Sequence, residues 1–363
     1  MKYFKFLIIL FFLVVSSTNL FASFHYAVKG EIKGQDGKTI IMSDYGKNNQ
    51  IIDSAIVKNG VFIMEGEYDR HGFIRVECGR DFYSNCILDT LVLPNFTTHL
   101  PNPSTMLNNK FVWYIEQEDK NMNEIGRYLD VLSNQNLSED DIQTRFNDYL
   151  ETRKPELFDF YKCIIEDNPN GIGEASLWFG LTNLDISSSE WDMFYSLSPM
   201  EIRDLPMTKR INDRYQTMKK SLPGLMFIDV EGKSPDGSTV HLSDYVGKGK
   251  YVLVDFWASW CGPCIEEGKN HLIPLYEKYK DMDNFEIVGV ATWDDIEKTK
   301  EQIVHQGYKW AQILDAGQKP MESYGFDGIP MIMLFGPDGT LLERGIRGIE
   351  IEKSIQKHVL SEK

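Results

Sequence analysis

Cysteine is scarce in this chain: five among 363 residues, and none before position 78. So few exclude a disulfide-stapled scaffold, and their distribution excludes lipid attachment at a cysteine just behind an N-terminal leader. Positive charge is short as well. The 38 Lys and Arg against 54 Asp and Glu leave a net charge of −16, with a pI near 4.9. A nucleic-acid binder shows a basic footprint, so no nucleic acid is expected as a partner. Apart from the first residues no long apolar run is present, which argues against a multi-span membrane protein. Internal repeats and low-complexity tracts are lacking too.

What remains is ordinary globular composition, 42% hydrophobic and 25% charged, at a length that suggests two or three domains of roughly 100–200 residues. Lys2 and Lys5 precede an apolar run from Phe6 to Val15, and small residues follow up to Ala22-Ser23. A basic start, a short apolar stretch and small residues describe a secretory signal peptide over residues 1–23, cut near Ala22 or Ser23. The run is shorter than the ~20 apolar residues a spanning helix needs. If left uncut, it would anchor the chain in the membrane. Either way the chain is expected to be exported, where disulfides can form.

Three textures follow. Residues 24–108 are β-rich, with alternation in Tyr26–Ile32, a turn at Asp36-Gly37, and two strand-like runs in Ser54–Met64 joined by Asn59-Gly60. Asn-Gly is a strong hairpin signal because both residues accept positive φ. A small sandwich or barrel-like module without a catalytic constellation is expected. Residues 109–222 turn helical: Asp140–Lys154, Glu156–Glu166 and Ile202–Lys220 carry apolar residues at three- and four-residue spacing. A connector packing on its neighbours is the plain reading. Cys163, in the apolar stretch Phe160–Ile165, reads as a buried thiol. Cys78 and Cys86 read equally well as a structural disulfide and as two free thiols.

Residues 223–363 alternate strands and helices and end in a hairpin around Pro337-Asp338-Gly339, which implies an α/β sheet with an antiparallel edge. The continuous apolar strand Tyr251–Trp257 runs into Trp260-Cys261-Gly262-Pro263-Cys264 at the start of a helix. There the first cysteine meets unpaired helix N–H groups and the positive dipole end, which favour a thiolate. Cys264 lies one turn on, and Pro263 suits the first helical turn. Cys261 is thus read as the attacking thiolate and Cys264 as the resolving thiol of an exchange cycle through a mixed disulfide. Half a zinc site and a plain stabilising disulfide are the competing readings, and the two further ligands that zinc needs are missing. No metal and no cofactor is expected.

The segment Val254–Cys264 resembles the active-site segment of thioredoxins, and residues from about 222 to 363 resemble the exported TlpA/ResA-like thiol-disulfide oxidoreductases. Residues 24–108 are similar to a β-rich module of unassigned function found upstream of such domains in Gram-negative bacteria. The resemblance implies a thioredoxin-like fold for 223–363 and a periplasmic location. It also implies a role for Asp255, six residues before Cys261, as proton acceptor and donor for Cys264. It places Trp260 in the docking surface, and makes Ile329-Pro330 a cis-proline loop whose backbone pairs with an extended substrate segment. Two positions bear on its limits. Relatives usually carry a proline five residues after the second cysteine, where this chain has Lys269. Glu267 matches an acidic position common in the exported subfamily, and reads equally as an influence on the thiols or as a solvated charge.

The implied function is disulfide reduction in exported clients, because Gly-Pro between the cysteines is the thioredoxin dipeptide and thioredoxin lies about 150 mV below the strong periplasmic oxidant. A reducing cycle requires a membrane electron donor. Two alternatives compete: a peroxiredoxin-type peroxidase, whose P-x-x-x-T-x-x-C pattern is absent here, and a binding or adaptor protein led by the β-rich module.

Overall fold

The computed structural model describes residues 23–184 and 186–360; the proposed leader, up to residue 22, lies outside them. The described chain divides into two compact units, residues 23–45 with 49–114, and residues 46–48 with 115–360.

The first unit carries strands β1 (Phe24–Glu31), β2 (Thr39–Asp44), β3 (Gln50–Ile56), β4 (Val61–Tyr68), β5 (Phe73–Cys78), β6 (Phe82–Ile87), β7 (Leu91–Pro94) and β8 (Pro101–Asn102). They form two sheets, ordered β4-β1-β7-β8 and β3-β2-β5-β6. Alternating residues of both sheets, among them Tyr26, Val28, Ile40, Met42, Met64 and Val76, meet in one core. Burying each such side chain contributes about 1.5–3 kcal/mol. Asn59 and Gly60 do turn the chain with φ of 52° and 75°. The strands they join, however, pair elsewhere, β3 with β2 and β4 with β1, and only the Lys58–Val61 bridge links them. Cys78 and Cys86 are both buried and unbridged. Register is the reason: Cys78 faces Phe82 and Cys86 faces Ile74, so the thiols stand four residues apart along the ladder, about 13 Å.

The helical region comprises α1 (Met106–Ser133), which begins in the first unit and ends in the second, then α2 (Glu139–Asp167), α3 (Gly171–Asn183), α4 (Ser188–Leu197), α5 (Met200–Arg203) and α6 (Pro206–Met218). Pro155 sits inside the continuous α2, where the sequence suggested two segments. Ser138 and Asn170 cap α2 and α3, and Ser187 with Glu190 forms a full capping box on α4. Tyr161, Ile165, Leu177, Trp191 and Phe194 form the core here, with Trp191 stacked on Tyr215 at 5.0 Å. Cys163 corrects the sequence reading. It is exposed, because Tyr161 and Ile165 take the inward face of α2 and leave Cys163 beside Asp167, 3.8 Å from its Oδ2.

The C-terminal region is thioredoxin-like. A hairpin of β9 (Glu231–Lys233) and β10 (Thr239–His241) precedes β11 (Tyr251–Trp257), α7 (Gly262–Glu267), α8 (Ile273–Tyr279), β12 (Phe285–Ala291), α9 (Ile296–Gln306), β13 (Ala311–Ile313), α10 (Lys319–Tyr324), β14 (Met331–Phe335), β15 (Leu341–Arg344) and α11 (Ile349–Ile355). The sheet order is β13-β12-β11-β14-β15, parallel up to β11 and antiparallel beyond it. All seven residues of β11 are buried. Tyr251, Leu253 and Trp257 join the cluster under α8 and α11, while Val252, Val254 and Phe256 join the opposite one.

Helix α6 packs on this region. Arg344 donates to Ser221 Oγ at 2.9 Å and to the Tyr324 carbonyl at 2.8 Å, and Arg214 pairs with Asp327. A Cβ on Gly325 would lie 2.4 Å from the Met218 nitrogen, so only glycine admits this approach.

Candidate redox site

Strand β11 delivers the chain to the site fully buried, and Cys261 then stands at the N-cap of α7. The Cys264 N–H donates to Cys261 Sγ at 3.2 Å, so an orphan helix donor is spent on that sulfur. The two cysteines form a disulfide with Cα atoms 5.3 Å apart. Cys261 keeps 4% exposure and Cys264 1%, so what access the pair has lies at the first cysteine. The Ile329–Pro330 peptide is cis, and the Ile329 carbonyl oxygen lies 3.6 Å from Cys261 Sγ. The loop thus faces the sulfur, with Pro330 buried behind it.

Alternation along β11 puts Asp255 on the face of Leu253 and Trp257, the face whose cluster contains both cysteines and Tyr308. It is 3% exposed, and its Oδ1 has no hydrogen-bond partner among the described residues. Burial pushes its carboxyl up to about 8, with the Glu267 carboxylate adding to the rise and the Arg347 guanidinium opposing it. Tyr308 is raised beyond the ordinary phenol range by burial first and by Asp255 second.

Three residues that no local pattern marks complete the surroundings. Arg347 donates to the Pro330 carbonyl oxygen. Gly348, at φ 55° and ψ −134°, a conformation nearly closed to other residues, donates its N–H to Glu267 Oε1 at 2.8 Å. Glu267 is therefore tied to the loop before α11 as well as acting on Asp255. The third is Tyr308, whose hydroxyl lies where a Cβ on Gly268 would be, at 2.1 Å. Gly268 opens a π-type turn over Gly268–Leu272, between α7 and α8. The chain thus makes an irregularity between the two helices with a wide helical turn that starts at Gly268-Lys269. The neighbour of Cys261, Trp260, is 57% exposed and donates its indole N–H to the Trp293 carbonyl at 3.0 Å.

Residues 223–344 match the AhpC/TSA family, and residues 26–81 match a domain of unknown function, DUF4369. Over 126 residues the chain is 33% identical to the thiol-disulfide oxidoreductase ResA of Bacillus thuringiensis (strain Al Hakam), covering 34% of this chain and 67% of that protein. ResA of Geobacillus thermodenitrificans is 29% identical over 144 residues, 38% of this chain and 74% of its own length. Among solved structures, the thioredoxin domain of a thiol-disulfide oxidoreductase from Bacteroides vulgatus is 34% identical, covers 38% of this chain and 96% of that domain, and aligns with a TM-score of 0.35. A third of the residues are shared across two thirds of a ResA, and the redox disulfide stands at the head of a helix in a thioredoxin-like sheet: the chain belongs to the ResA/TlpA-like thiol-disulfide oxidoreductases, with a β-rich N-terminal region of unclear function.

Proposed function

We propose that this enzyme reduces disulfides in exported client proteins, with Cys261 as nucleophile, Cys264 as resolving thiol and Asp255 as the group that moves the proton. The Cys264 N–H aimed at Cys261 Sγ is the observation that carries the assignment. In the cycle the Cys261 thiolate attacks one client sulfur, a mixed disulfide forms, and the other client sulfur leaves as thiolate. Cys264 gives its proton to the Asp255 carboxylate and attacks Cys261 Sγ. The second client thiol is released, and two electrons have passed from the dithiol to the client. A carboxyl raised to about 8 lies near the ordinary thiol value of about 8.5, so the proton moves either way with little bias.

Trp260, Ile329 and Pro330 hold the client as an extended segment; the closeness of the Ile329 carbonyl to Cys261 Sγ supports that reading. The basic start and apolar run at Lys2–Val15 support export to the periplasm. Net reduction then draws electrons from a membrane donor that regenerates the dithiol. The domain reading of a leader at 1–23, a β-rich module at 24–108, a helical connector at 109–222 and a redox domain at 223–363 belongs to the same proposal.

Cys264→Ser tests it directly. The variant lacks the resolving thiol, so clients should stay covalently attached through Cys261 and leave on dithiothreitol treatment. An envelope preparation yielding no thiol-linked partner, with no insulin reduction by the wild type, would refute the reading.

A further inference from the structure

Trp293, on the loop between β12 and α9, is 54% exposed. Its ring meets that of Trp260 edge-on, with centroids 5.7 Å apart. Because the Trp260 N–H is already spent on the Trp293 carbonyl, that indole offers the solvent chiefly apolar surface. Two half-exposed indoles beside a redox sulfur are a poor use of area unless something covers them, since each can bury roughly 150–250 Å².

The loop is built to hold this position. Trp293 has φ 58°, a left-handed conformation that costs a bulky residue about 1–3 kcal/mol. It persists because its neighbours are pinned. The Trp293 N–H and the Thr292 hydroxyl both donate to the Gly317 carbonyl at 2.8 Å, and the Thr292 N–H donates to Trp257 at 2.9 Å. Asp294 accepts from the Ser259 N–H at 2.5 Å, from the Ser259 hydroxyl at 2.8 Å and from the Thr299 hydroxyl at 2.8 Å. Asp295 caps α9. Residues 292–295 are thereby fastened to the end of β11 and to Ser259, two residues before Cys261, so the Trp293 ring keeps a set place relative to the sulfur.

We propose that Trp293, together with Trp260, forms a subsite for an apolar or aromatic side chain lying one or two residues from the reacting cysteine of an extended client segment. The proposal rests on the client-reduction reading above and names a class of preferred client. Chemistry selects the occupant: Asp294 has its oxygens engaged by four donors, the Asp295 N–H included, and the paired rings reward apolar area rather than charge.

The test compares kcat/KM for two disulfide-bonded peptides that differ only in carrying Leu or Ser beside the cysteine. The wild type is also run on a small aromatic disulfide to establish exchange activity. Trp293→Gly removes the ring and suits the left-handed backbone, and Trp293→Asn does so with a side chain. Either variant, checked for its melting transition, keeps the carbonyl that Trp260 uses. The expected result is a wild-type preference for the Leu peptide that drops about fivefold or more in both variants and is partly kept in Trp293→Phe, in line with about 1 kcal/mol for such contacts. Activity on the small disulfide with no Leu preference, or a preference that survives both variants, overturns the subsite and leaves the reduction reading intact. Activity on neither class of disulfide overturns both.

Discussion

Replacing Asp255 by Asn separates the cost of the buried carboxyl from its use. In the unfolded chain this group titrates near the ordinary value of about 3.9, whereas in the folded protein it titrates at about 8. The native state therefore holds a proton that the unfolded state gives up, and stability falls as pH rises from about 4 to about 8. At pH 7 the gap is about 3 pH units, worth about 4 kcal/mol at 1.36 kcal/mol per unit. Asn keeps the size and cannot ionise, but its two N–H donors find few acceptors beside an atom that is already unpartnered, which costs about 1–2 kcal/mol. Asp255→Asn should thus stabilise the oxidised protein by about 2–3 kcal/mol at pH 7 and destabilise it by about 1–2 kcal/mol at pH 4. Exchange should meanwhile slow by up to about 100-fold, the low end for general acid–base groups, and lose its inflection near pH 8. Urea titrations at pH 4, 5.5, 7 and 9 measure the first effect and insulin reduction the second. A stability difference that does not change with pH would refute the reasoning, whatever the rates do.

Two charge substitutions should move the Asp255 titration in opposite directions, as followed by carboxyl-carbon NMR. Arg347→Gln removes the cation that opposes the rise and should lift it, while Glu267→Gln removes a like charge and should lower it; shifts of the same sign would contradict the arrangement. Gly268→Ala should destabilise by about 1–3 kcal/mol through its clash with the Tyr308 hydroxyl and the ring carbon behind it, and Tyr308→Phe in the same chain should recover part of the loss; a harmless Gly268→Ala would mean that the close approach is unimportant. In the reduced protein at pH 7, iodoacetamide should label Cys261 on the order of tenfold faster than Cys264, because a helix N-terminus favours the thiolate of the first cysteine and Cys264 is the more buried of the two; preferential labelling of Cys264 would reverse the two roles.

Local signals carried much of this site. The C-x-x-C motif, the proline at the first helical turn and the apolar strand before it act through nearest neighbours, so the redox pair and the helix start were readable. The cysteines elsewhere were not. The gap between Cys78 and Cys86 is a matter of strand register, and the outward turn of Cys163 depends on which face of α2 the core claims. Arg347, Gly348, Tyr308 and Trp293 reach the site from loops far along the chain, and each carries a role only through a partner that sequence spacing does not reveal. The Asn59-Gly60 turn lies between these cases: its backbone chemistry was legible, but the sheet that each flanking strand joins was not.

The fastening of α6 has a consequence for how this enzyme could be taken apart. Family similarity begins at residue 223, yet Ser221, Met218 and Arg214 lie before that point and grip Arg344, Gly325 and Asp327. Asp327 stands two residues before Ile329, so one end of the loop that faces the redox sulfur is held from outside the region of ancestry. The redox site is accordingly not a self-contained cassette. A recombinant piece beginning at residue 223 would carry both cysteines and Asp255 but leave the loop moored at one end only. A chimera that keeps α6 with its descendant sheet would transplant the chemistry together with its anchor.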